Sequence, residues 1–257
     1  TSLPRAEEPK LSTEGLTSAV FWGMGSDGTV GANKNSIKII GHATDLYCQA
    51  YFVYDSKKSG GLTQSHLRFG KNPIRSPYLV TAADFVACHN PSYVHQYDMV
   101  AGLKEGGTFL LNCQWSADEL DAQLPASMKR ALYAKKAKLY IINAIDIARG
   151  LGLGNRTNTI LQASFFNLTG VIPIEQAVTE MKEAIYKSYF KKRGQKVVDM
   201  NNASIDHGIN ELVAVEIPAS WAAAEDAPKQ ENIPEFIKEI VAPMNRQQGD
   251  ALTVGQM

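Results

Sequence analysis

Three glycines, Gly23, Gly25 and Gly28, stand in GxGxxG spacing within FWGMGSDGTVGANKN, between an apolar run and an amphipathic one. Glycine at this spacing turns the chain tightly and lets a pyrophosphate approach bare backbone. The helix that follows offers N–H groups with no partner inside the helix. Ser26, Asp27 and Thr29 lie in the same loop, and the two hydroxyls are donors that a turn built for packing alone does not need. The next strand-like run ends at Asp55, where a dinucleotide fold puts the acid that binds a ribose hydroxyl. SKKSGG follows at 56–61, and Lys57, Lys58, Ser59 and Gly60 supply donors for a second phosphate. A solvated loop is the plainer reading of a lysine pair. Adjacency to the first loop outweighs it, because ligands of open α/β sheets sit outside the carboxyl ends of the strands. Arg68, on the polar face of the next strand, joins this group. A ligand with a pyrophosphate and a separate phosphate fits, and NADP and coenzyme A both answer that description.

Other residues carry less. His89 and Asn90 follow the strand-like DFVAC, and Asn112 ends TFLLNC, so His89 and Asn112 are outside candidates for the same crevice. GLGLGNR (150–156) reads as a helix cap and turn, and Trp115 as packing. No GxSxG, HExxH or GxxxxGK[ST] pattern occurs, and the histidines have no metal spacing. Cys48, Cys88 and Cys113 form no CxxC pair and sit in apolar runs, as buried free thiols of a reducing compartment do.

The elements that must position these residues alternate. Strands are expected over 18–22, 46–55, 62–69, 84–88, 108–113 and 139–144, with helices over 28–40 and 92–103 and a capping box at Ser116 and Glu119. Within 62–69 the alternation puts Thr63, Ser65, Leu67 and Phe69 on one face and Gln64, His66 and Arg68 on the other. Helices then dominate over 156–169, from Pro173 through Tyr189, and over 196–214. From Ala219 the composition turns to Ala, Pro, Glu and Gln, with order expected only in IPEFIKEIV (233–241). The pattern predicts an α/β fold: a mostly parallel Rossmann-like sheet with helices on both faces, a helical C-terminal part and an extended tail.

The 257 residues are 44% hydrophobic and 20% charged, enough for one sizeable core. Lys plus Arg and Asp plus Glu both number 26, so an anion must be held by a local cluster and not by the field of the molecule. No apolar run reaches the ~20 residues of a membrane span, and no signal-peptide layout opens the chain. A soluble, cytoplasmic protein binding neither nucleic acid nor membrane is expected, and the chain reads as a piece of something longer.

GMGSDGTVGANKNSIKIIG, YFVYDSKKSGGLTQSHLRFG, ADFVACHNPSYV, LKEGGTFLLNC and IDIARGLGLGNRTNTILQASFFNL, followed by the IPIEQAVTEMKEAIYKSYFKK helix, carry a resemblance over roughly 17–216, with a weaker echo in VAPMNRQQGDALTVGQM. This run resembles the gamma-type domain of pyruvate:ferredoxin oxidoreductase and other 2-oxoacid:acceptor oxidoreductases. It departs at GNRTNTILQ, where the family pattern is closer to GGRINMIMQ. The resemblance implies an enzyme that oxidatively decarboxylates pyruvate, passes electrons to ferredoxin or flavodoxin, and hands the acetyl group to coenzyme A. It assigns coenzyme A to this domain, and thiamine diphosphate, Mg2+ and [4Fe–4S] clusters to other parts of an enzyme expected to be a homodimer. By position, it implies that Gly25, Ser26, Asp27, Gly28 and Thr29 cradle the pyrophosphate. Lys57, Lys58 and Arg68 neutralise phosphate, and Ser59 and Gly60 close that loop. The implied organisation is a linker over 1–14, the gamma-type domain over 15–217 and a connector tail over 218–257, with no turnover by the fragment alone. A free-standing NADP-dependent oxidoreductase and a non-enzymatic scaffold are the competing readings.

Overall fold

The structure is a computed structural model and describes residues 14–57, 60–226 and 233–255. The linker expected over 1–14 lies almost wholly outside them.

The first strand, β1 (Leu16–Met24), is apolar along most of its length and buried on both faces, as a central strand of a covered sheet must be. It runs into α1 (Thr29–Ala43), then the hairpin of β2 (Tyr47–Tyr54) and β3 (Leu62–Gly70), and then β4 (Ala83–Cys88) and β5 (Leu103–Asn112). Short α2 (Leu120–Gln123) and α3 (Ala126–Ala134) lead to β6 (Lys138–Ile142). Four helices follow, α4 (Ala144–Gly150), α5 (Asn158–Thr169), α6 (Ile174–Arg193) and α7 (Gln195–Asn210), before β7 (Val213–Val215) and, further along the chain, α8 (Ala242–Asn245).

The sheet order is β2-β3-β1-β4-β5-β6-β7. Its centre, β1-β4-β5-β6, is parallel, whereas β3 runs antiparallel to both β1 and β2, and β7 antiparallel to β6. The flank follows from loop length. Only Asp55–Gly61 joins β2 to β3, too short for the crossover of a dozen or more residues that a parallel pair needs.

Helices cover both faces. On one, Phe21 of β1, Phe85 of β4 and Phe165 of α5 form a triangle with ring centroids 5.2 to 5.7 Å apart. Helix α5 is buried without interruption from Thr159 to Phe166, because α1, α6 and α7 surround it. On the other face, Val86, Phe109, Leu111 and Leu139 pack with Leu132 of α3 and with Trp221.

Three sequence expectations change. The helix expected over 92–103 is a single 3-10 turn, Pro91–His95, capped by the Asn90 side chain, after which the chain enters β5. The helix expected to reach 214 ends at Asn210, and the β-branched residues beyond it join the sheet edge as β7. The tail is not free from its start: Trp221 is 2% exposed, its indole N–H donates to Asp121 Oδ1 at 2.8 Å, and Arg130 of α3 pairs with Asp226. The capping pair forms, Ser116 donating N–H and hydroxyl to the Glu119 carboxylate.

Candidate functional site

Gly23 is the last buried residue of β1, and a Cβ there would lie 2.6 Å from the Thr29 hydroxyl oxygen; glycine lets the first turn of α1 close onto the strand. Between them the chain passes through the left-handed region at Ser26 (φ 75°) and Gly28 (φ 90°). Asp27 organises this loop. Its carboxylate accepts the Met24 N–H at 2.8 Å and the Thr29 N–H at 2.7 Å. An acid at the start of a helix is favoured by the exposed amides and the helix dipole. The amides of Ser26, Gly28, Val30 and Gly31 donate to no acceptor among the described residues and remain available to a ligand.

The two segments singled out from the sequence meet backbone to backbone. Gly25 N–H donates to Gly61 O at 2.7 Å and Gly60 N–H to Gly25 O at 3.3 Å, so the tip of the β2–β3 hairpin is stitched to the glycine loop. Between them lies a hollow of 280 Å3 lined by Gly25, Ser26, Asp27, Gly28, Lys57 and, from the hairpin, Tyr54, Asp55 and Thr63. Asp55 is held below the usual carboxylate range, chiefly by the Lys57 N–H and then by the Ser56 hydroxyl. Lys58 and Ser59 lie outside the described residues.

Beneath the loop, the Thr29 hydroxyl is 2.7 Å from His89 Nδ1, and the Asn112 amide donates to the His89 carbonyl at 2.9 Å. Burial holds the His89 ring down to about 4, with Asp27 pulling the other way, so the ring is neutral at pH 7. Its Nε2 is buried with no hydrogen-bond partner among the described residues. Asn112 accepts the Ala144 N–H at 3.1 Å, which uses both ends of its amide. It pins β5 to the start of α4 and does not reach the hollow.

Arg68 is not beside the glycine loop. Because β3 runs antiparallel to β1, Thr63 stands opposite Gly23, while Arg68 stands opposite Ser18, five residues along. At about 3.4 Å per residue this puts the Arg68 backbone on the order of 17 Å from the loop. Thr63 is the residue that sequence reasoning passed over. It is 5% exposed, its hydroxyl has no partner among the described residues, and it lines the hollow. The available signal was a polar residue at an inward position of an alternating strand.

A second hollow of 370 Å3 shares Gly28 and Gly31 with the first and extends to Asn158, Gln162 and Ser188. Among the described residues no three His, Cys, Asp or Glu side chains gather as a metal site, and no helix is long and apolar enough to cross a membrane.

A glycine loop stitched to a hairpin tip, on a seven-stranded sheet with a parallel centre and helices on both faces, defines an α/β domain. The family model described as pyruvate ferredoxin/flavodoxin oxidoreductase matches residues 18–211, and the chain belongs to that family. A second model, described as a domain of unknown function, matches 223–257. The chain is 55% identical over 258 residues to the pyruvate-flavodoxin oxidoreductase of Enterobacter agglomerans, covering 99% of this chain and 22% of that protein. It is 53% identical over 256 residues to the pyruvate:ferredoxin oxidoreductase of Moorella thermoacetica, with the same coverage of 99% and 22%. The chain thus spans about a fifth of the length of these curated relatives. Among solved structures, pyruvate oxidoreductase subunit PORC of Thermotoga maritima shares the fold with a TM-score of 0.62 at 20% identity, over 78% of this chain and 99% of that one. The 2-oxoglutarate:ferredoxin oxidoreductase of Magnetococcus marinus, solved with 2-oxoglutarate, coenzyme A and succinyl-CoA bound, does so with a TM-score of 0.56 at 16% identity, over 82% of this chain and 31% of that one.

Proposed function

We propose that this chain is the coenzyme A-holding domain of a longer pyruvate:ferredoxin or pyruvate:flavodoxin oxidoreductase, a cytoplasmic homodimer that converts pyruvate to acetyl-CoA and CO2. The observation that carries the reading is the stitched pair of loops, with four free amides and Lys57 around one hollow. Thiamine diphosphate, Mg2+ and [4Fe–4S] clusters belong to the rest of the enzyme and supply the decarboxylation and electron-transfer chemistry. This chain binds and orients. The amides of Ser26, Gly28, Val30 and Gly31 take the pyrophosphate oxygens, and Asp27 holds the loop in the shape that presents them. Lys57, with Lys58 and Ser59 beside it in the sequence, takes the 3′-phosphate. Asp55 and the Thr63 hydroxyl offer partners to the sugar or base, and the adjoining hollow lets an extended ligand pass α1. Anchoring the nucleotide end directs remote binding energy to placing the thiol. Arg68 has no part in this hollow. The domain runs from residue 15 through the 217 expected from sequence and, on the packing of Trp221, on to Asp226.

Calorimetric titration with coenzyme A, dephospho-coenzyme A and NADP at low salt tests the reading. Coenzyme A binding more tightly than its dephospho form is expected, with Lys57→Ala weakening it ~10-fold at unchanged melting temperature. A preference for NADP overturns the assignment.

A further inference from the structure

Arg68 is a buried cation without a counter-ion. It is 4% exposed, yet its guanidinium meets only the Gln49 side-chain oxygen at 2.9 Å and the Tyr78 ring at 5.0 Å, and no carboxylate among the described residues forms an ion pair with it. Burial accordingly pushes its pKa down. A guanidinium taken from water calls for a carboxylate or phosphate in fork geometry.

The groove whose floor Arg68 forms is 750 Å3 in volume and runs along β2. Among the described residues strand β2 is the edge of the sheet and pairs only with β3. Its sequence, YCQAYFVY, has no charge and no proline, and its pairing with β3 has no bulge, so it lacks the usual guards against strand addition. Tyr51, Tyr54, Tyr78 and Leu79, each between 39% and 59% exposed, rim the groove. Tyrosine around a buried arginine is the composition of an interface centre.

We infer that the β2 edge and the Arg68 groove form a docking surface for a segment of the parent polypeptide outside these 257 residues, lying along β2 and setting an Asp or Glu carboxylate against Arg68. The inference rests on the reading that this chain works inside a longer enzyme, as its 22% share of its relatives suggests. Charge complementarity fixes the chemistry of the occupant. The open row of strand amides fixes its extended form, as in recognition by strand addition.

Hydrogen exchange on the parent polypeptide tests this, together with a photo-cross-linking side chain in place of Tyr51. The outward-facing amides of β2 are expected to exchange ~100-fold more slowly than exposed loop amides. Arg68→Met should speed them ~10- to 100-fold, with Arg68→Lys between, while the peptide of the Phe165 core stays protected and shows the fold intact. The cross-link should join position 51 to an acid-containing peptide from outside this chain. Fast exchange of β2 in a long wild-type polypeptide overturns the inference alone. Protection that ignores Arg68→Met overturns it too, as does a cross-link to β2 of a second copy or a cross-link to no protein. A native polypeptide of only these 257 residues overturns both the inference and its premise.

Discussion

Two histidines face inward where a charge has no partner. Burial holds the rings of His66 and His89 down to about 4, from an ordinary 6.5, with the Arg68 charge adding to the effect at His66 and Asp27 opposing it at His89. Between those values the unfolded chain binds protons that the folded chain refuses. The stability from keeping the rings neutral is therefore complete above pH 6.5 and drains as pH falls toward 4. Each ring contributes up to ~3 kcal/mol to that loss. Urea unfolding at intervals from pH 7 to pH 4.5 should show it, and His66→Gln should flatten the slope; a variant as steep as wild type removes His66 from the account. The glycine loop could be located because its glycine spacing marks a tight strand-to-helix turn, but the Thr29 hydroxyl, expected to face a ligand, is buried against His89. Arg68 was misplaced because alternation reports which face a side chain takes but not the direction in which its strand runs. In a parallel strand Arg68 would stand at the carboxyl edge beside the loop. In the antiparallel β3 that place goes to Thr63.

Among elements, α5 and α7 come into close backbone contact. A Cβ on Gly208 would lie 2.3 Å from the Ile160 carbonyl oxygen, and the Ser164 hydroxyl donates to the Gly208 carbonyl at 2.8 Å across the same contact. Gly208→Ala must push the helices apart and should cost about 1–3 kcal/mol in urea unfolding, with Ile205 and Phe166 losing exchange protection first. A variant as stable as wild type refutes the close contact. Helix α5 shows why periodicity located elements better than it bounded them. A helix surrounded on all sides carries no stripe, and its sequence, NTILQASFFNLT, is apolar enough to be found but not phased. Likewise β7 was absorbed into the preceding helix because three residues are too few to show a period of two. The 3-10 turn after β4 shows the converse: Asn90 and Pro91 are local start signals, and nothing local says that the turn stops at His95.

For the molecule as a whole, packing continues past the change of composition at Ala219, through Trp221 to the Arg130–Asp226 pair. Ending the chain at 217 removes an indole that is 2% exposed and should lower stability by ~3–5 kcal/mol, whereas ending it at 226 keeps the indole and the Arg130–Asp226 pair. Thermal melts of the two truncations decide the matter, and equal melting temperatures return the boundary to 217. The fold class and both covered faces were legible from alternating strand and helix, since each sheet face and each helix stripe must be buried against another layer. Strand order and the antiparallel flanks were not, because they depend on which ends lie near each other. The hairpin on one flank has a consequence of its own. Tyr54 borders both the hollow at the hairpin tip and the groove along its outer edge. One ring is a party wall between two rooms. A neighbouring domain seated on β2 would therefore touch the same ring that bounds the inner hollow, and a shift of that ring would change the hollow's width.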